Sequence, residues 1–273
     1  MSTGIKRLFR FELKRALFSK AYIYSLVLGA IIAVWHFVEC IVVHSEGKGV
    51  VFPLIQSFLG GDIQTSAPEL YRLLVPLLAC IPFAWSYYRD YQMGYLKTIY
   101  LYEKRSRFLT IRYVECAILG GICSIFPLVL SLFLSAPFYP NYSPMVFMWY
   151  GGPPAGSFCA DFYYSNPMVY IIVYIGIVFV IGSLSSVIGL VIGLFARSRV
   201  QVLAFPIFVI LYLDVICRQL TINEYSLIRM MNISAGLRII PFLVMTGTSF
   251  LLTWVVFIMI GMKKDVLGDA TGG

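Results

Sequence analysis

Uninterrupted apolar runs, roughly as long as a lipid bilayer is thick, constrain this chain more than any other feature. The hydrocarbon core is about 30 Å across and a helix rises about 1.5 Å per residue, so about 20 apolar residues reach from face to face. Six such runs are legible, at about 21–43, 70–88, 110–135, 167–195, 200–217 and 238–262. Composition agrees. Only 12% of the residues are charged and the mean hydropathy is +0.85, whereas soluble domains carry about 25% charged residues. The sequence therefore predicts an all-α membrane protein of one transmembrane domain, 1–273, with no independently folded soluble part.

The net charge of +8 does not point to nucleic acid, because the cations gather at the ends of the runs. With the N-terminus placed inside, segments 1–20 and 89–112 carry six Lys and Arg each, and 196–199 and 263–273 carry two each. The opposite side holds only Lys48, Arg72, Arg218, Arg229 and Arg238. That asymmetry follows the positive-inside rule and predicts a multi-pass protein of the cell membrane with both termini cytoplasmic. The first run follows a long basic stretch and is longer than a signal-peptide core, so no cleavable signal is expected. The six cysteines show no CxxC pair and predict no disulfide framework.

The stretch TGIKRLFRFELKRALFSK, residues 3–20, sets Ile5, Leu8, Phe9, Leu13, Ala16 and Leu17 at helical spacing, with Lys6, Arg7, Arg10 and Lys14 mostly opposite. Two readings fit: an amphipathic helix lying in the membrane interface over 3–19, or a basic anchor that only sets topology. The polar connection at 44–69 has an apolar centre, VVFPLIQSFLG, expected to dip into the interface. A loop at 136–166, rich in proline and aromatics, is expected to cap one surface, and 218–237 to form a short helix.

Catalytic chemistry is sparse. There is no GxxxxGK[ST] phosphate loop and no HExxH. His36, Glu39, Cys40 and His44 share one helix face, but a straight helix spreads them over about 12 Å, too far for one metal ion. Glu39, Glu115 and Asp214 are acids inside apolar runs, open to a pathway-lining or a plain boundary reading. Gly182, Ser186, Gly189 and Gly193 form a stripe that predicts close helix packing.

The basic connection after the second run, RDYQMGYLKTIYLYEKRSRF, contains an apolar face of its own at Tyr95, Leu96, Ile99 and Tyr102. That spacing predicts a short helix resting on lipid or on another protein. Taken with FLGGDIQTSAPELYRLLVPLLACIPFAWSYYRDYQMGYLKTI upstream, the chain resembles the membrane (permease) subunit of an ATP-binding cassette transporter of the ABC-2 class, as in Gram-positive bacteria. The resemblance implies an exporter of a hydrophobic or amphipathic substrate: a peptide, a lipid-linked molecule or a drug. It implies no cofactor on this chain, with ATP and Mg on a separate cytoplasmic ATPase subunit. It also implies a second permease copy or homologue beside it. Carried over residue by residue, Tyr91, Gly94, Tyr95, Leu96, Ile99 and Tyr100 would meet the ATPase subunit through a coupling helix. The residues also leave open a membrane sensor or immunity protein without transport, and an intramembrane enzyme.

Overall fold

The structure, a computed structural model, describes residues 2–46, 52–61, 65–144, 152–154, 156–196 and 198–263, with side chains except at 2–8 and 43–46. Lys48, Arg197 and Lys264, the side chains of Ile5, Lys6, Arg7, Leu8 and His44, and 145–151 of the proline-rich loop lie outside that description. Among the described residues there is no strand. The helices are α1 Ser2–Leu17, α2 Lys20–Glu46, α3 Leu54–Ser57, α4 Ala67–Cys80, α5 Ser86–Gln92, α6 Tyr95–Tyr102 and α7 Arg105–Ser135. They continue with α8 Ala160–Ser165, α9 Pro167–Ile192, α10 Arg199–Gln219, α11 Leu227–Met230 and α12 Ile239–Lys263. Short 3-10 turns at Asn223–Tyr225 and Ile233–Ala235 flank α11, so 218–237 folds as turns around one helical turn.

Five helices, α2, α7, α9, α10 and α12, are long and apolar enough to cross a membrane. The chain is a multi-pass helical membrane protein. The second apolar run is not one continuous helix. It breaks into α4 and α5 around a turn at 81–85. Pro82 is the cause: it has no N–H to give to the Leu78 carbonyl, and its ring crowds that carbonyl. The carbonyl is satisfied instead by the Ser25 hydroxyl of α2, which donates to it at 2.8 Å. The broken segment still runs antiparallel along α2. Ala67 meets Glu39 late in α2, Leu78 meets Ser25 early in it, and Asp90 meets Arg15 on α1.

At the centre, α7 packs on α9 through small residues. A Cβ added to Gly182 would sit 2.0 Å from Ser124 Oγ, and one on Gly120 would sit 2.2 Å from Ser186 Cβ. Neither helix can hold a larger residue there without moving apart, which is the close approach the stripe predicts. Gly189 faces Cys80 and Ala84 instead, so the stripe serves α4 as well as α7.

The apolar centre of 44–69 does not lie on the surface. Phe52–Gly61 is buried as a wedge in the bundle. Ser131 accepts the Leu59 N–H at 3.0 Å, Ser135 donates to the Ser57 carbonyl at 3.1 Å, and the Pro140 carbonyl accepts the Leu54 N–H at 3.0 Å. Serines on α7 thus satisfy backbone groups that hydrocarbon would leave unpaired.

Candidate functional site

Where α1, the α5–α6 elbow and the start of α7 meet, four charged side chains form a buried knot. Arg112 of α7 is 0% exposed, as are Glu12 of α1 and Asp90 of α5. Arg112 Nη1 donates to Glu12 Oε2 at 2.9 Å, and its Nη2 donates to Asp90 Oδ2. Arg15 of α1 donates to both oxygens of Asp90 and lies 3.5 Å from Glu12 Oε2. The Tyr95 hydroxyl, from α6, donates to Glu12 Oε1 at 3.0 Å. Two acids and two arginines therefore balance, and one network ties three parts of the chain together.

The knot has aromatic walls. The Arg112 guanidinium stacks 4.9 Å from the Phe83 ring, in the α4–α5 break, and 5.0 Å from Phe108. Arg15 lies 4.4 Å over Tyr95. Such rings exclude water and attract the cation face-on. Burial lowers the Arg15 pKa, but Asp90 and Glu12 outweigh it and leave the group above its ordinary value. Arg89 lies 3.5 Å from Asp90 at the edge of the knot. Burial, and then Glu12, raise the Tyr95 phenol.

The elbow helix α6 stands on this knot. Gly94 precedes it at φ +69°, a left-handed conformation that side chains disfavour, and this lets the chain reverse from α5 into α6. Of the apolar face inferred from the sequence, Tyr95, Leu96 and Ile99 are covered by the chain itself and Tyr102 is not. Leu96 is 0% and Ile99 9% exposed, both inside the main core. Tyr91, Tyr95 and Tyr100 are half-buried against the same core, and Tyr100 packs edge-on to Phe108 at 5.8 Å. Leu96 and Ile99 are thus covered by the protein's own core. The outward side of the elbow carries Met93, Leu101 (80% exposed) and Tyr102 (83% exposed).

The three acids singled out in the sequence do not converge. Glu39 Oε2 accepts the Ala67 N–H at 3.1 Å and its Oε1 accepts the Ser66 hydroxyl at 2.5 Å. It thereby caps the start of α4, where a carboxylate is favoured. Asp214 accepts from the Ser226 hydroxyl and pairs with Arg218 at 2.9 Å. Glu115 lies fully buried one turn beyond Arg112, and neither of its carboxyl oxygens has a hydrogen-bond partner among the described residues. His36 bonds Ser131 Oγ through Nδ1 at 3.1 Å and faces Cys40 Sγ at 3.4 Å, while Glu39 turns away to α4.

Reading the sequence face by face passed over Glu12 and Arg15 and treated Arg112 only as a topology signal. Lone acids inside cation-rich end segments, Glu12 in 1–20 and Asp90 in 89–112, are the signal that could have found them. Compared with models of protein families, with curated proteins and with solved structures, the chain matches none.

Proposed function

We propose that this chain is the permease subunit of an ATP-driven exporter of the ABC-2 class, moving a hydrophobic or amphipathic substrate across the cell membrane. In this reading the α4–α5 pair is a sixth, broken membrane crossing and both termini are cytoplasmic. The elbow then faces the cytoplasm with α1 beside it in the interface. A soluble ATPase subunit docks on Met93, Leu101 and Tyr102. The observation that carries the reading is the elbow's construction: an exposed apolar tip mounted on a buried charge knot. A push on such a tip reaches α1 and the start of α7 together, because slipping any one charge out of the knot leaves the remaining buried charges unbalanced. The sequence resemblance supports the same assignment of roles. It does so with a changed contact set, since Leu96 and Ile99 hold the elbow to its own chain.

The test is purification of the full-length tagged chain from its native membrane in mild detergent, followed by assay of Mg-ATP hydrolysis. An ATPase subunit in stoichiometric amount is expected to co-elute. Leu101→Asp and Tyr102→Asp, both at exposed positions, are expected to lose it while the chain keeps its elution profile. A chain that elutes alone and still binds its ligand refutes the transport reading in favour of a sensor. A partner retained by both variants refutes the contact.

A further inference from the structure

At the end of the bundle opposite the knot, the starts of α4 and α12, the end of α10 and the turns around α11 surround two adjoining cavities of about 760 and 380 Å³. Arg72, Arg218, Arg229 and Arg238 all line them. Two of the four are neutralised: Arg218 pairs with Asp214 at 2.9 Å and Arg238 with Glu224 at 2.6 Å. Arg229, shared by both cavities and exposed, makes no ion pair among the described residues.

Arg72 is the anomaly. It is only 9% exposed, it lines the larger cavity, and no hydrogen bond or ion pair engages it among the described residues. An arginine does not shed its proton in a protein, so a largely buried, unpaired one on a cavity wall is satisfied by water or by an anion in that cavity. Glu69, one turn earlier, lines the same cavity but is exposed and lies beyond ion-pair distance. Asn232 completes the polar lining: its side-chain carbonyl accepts from Ser234 N–H at 3.1 Å, which leaves its amide N–H pair as a further donor.

We propose that this cleft binds an oxyanion, the phosphate of an anionic phospholipid headgroup, with Arg72 and Arg229 as its cationic ligands. Arginine forks match phosphate oxygens in pairs. The lipid source follows from the surroundings. The cleft opens where α4 begins and α10 ends, the level at which headgroups meet a helical bundle. Leu73 on its wall is an exposed apolar residue along which an acyl chain can lie. The inference rests on the multi-pass fold and not on the transport reading.

The full-length chain in neutral detergent is titrated with phosphatidylglycerol, phosphatidylcholine and inorganic phosphate, with binding counted by native mass spectrometry. Phosphatidylglycerol is expected to saturate, and phosphatidylcholine not to displace it. Arg72→Gln and Arg229→Gln are each expected to weaken binding about tenfold or more, the value of a charge-assisted hydrogen bond. Lys104→Gln, an exposed cation at the other end, is expected to leave it unchanged. Arg229 is exposed, so its variant tests the site even where Arg72→Gln fails to fold. Unchanged affinity in Arg229→Gln, or equal loss in Lys104→Gln, overturns the site. Inorganic phosphate binding as tightly as phosphatidylglycerol overturns the lipid source.

Discussion

Asp90→Asn removes one charge from the knot and almost no volume, which makes it the sharpest probe of how the elbow is held. Asp90 accepts from Arg15 and Arg112, with Arg89 at 3.5 Å. The Arg15 side chain is 26% exposed and can swing toward water, so its share of the loss is discounted. Arg112 is 0% exposed and has no such exit. Losing one partner of a buried pair costs about 3–5 kcal/mol, an upper bound here because Arg112 still donates to Glu12 at 2.9 Å. At about 2–4 °C per kcal/mol for a chain of this size class, that lowers the unfolding midpoint by roughly 6–20 °C. Thermal unfolding followed by intrinsic fluorescence in one detergent reads the shift. A double-mutant cycle with Arg112→Gln separates this bond from general damage: the double variant is expected to lose less than the sum of the singles by about 0.5–3 kcal/mol. A single-variant loss below about 0.5 kcal/mol, the level of a surface pair, or an additive cycle, refutes the view of the knot as one cooperative unit.

Leu96→Asp places a charge in the core at a position 0% exposed, so it is expected to destabilise the chain itself, seen as lost folded yield; a stable variant that merely sheds a partner contradicts the packing described. Gly182→Ala drives a methyl into Ser124 and is expected to cost about 1–3 kcal/mol by overpacking, whereas Gly176→Ala, with open space around it, is expected to be silent; equal midpoints for the two variants dispose of the α7–α9 seam. The folded chain holds the Tyr95 proton more tightly than the unfolded chain does. Stability linked to it is therefore intact below about pH 10, where a free tyrosine ionises, and falls as pH rises past that point. Tyr95→Phe is expected to lose less stability over that alkaline range than the parent, and coincident pH profiles exclude the bond to Glu12.

Hydropathy made the long helices legible because each must cover its length with apolar side chains in any arrangement. It could not locate the break at 81–85. A proline such as Pro82 kinks a span or starts one, and which it does depends on its surroundings, here on Ser25, which supplies a bond from another helix. Periodicity likewise revealed that Leu96 and Ile99 face something, but a spacing pattern carries no record of what the cover is. The knot was hidden for a related reason. Its acids and arginines lie far apart in sequence on three helices, and charge in such segments is dominated by cations that set topology. The wedge at 52–61 resembled a surface stretch because its backbone partners, Ser131 and Ser135, belong to a distant helix.

Time enters through the distance along the chain between Glu12 and Arg112, 100 residues apart. A ribosome releases α1 long before it releases the arginine that neutralises it. The newborn first helix thus has no site to occupy until α7 begins to emerge, and the α5 aspartate arrives only shortly before. The fold cannot be sealed from the beginning of synthesis. Its earliest segment is fastened late, so any truncation upstream of α7 leaves that segment unmoored.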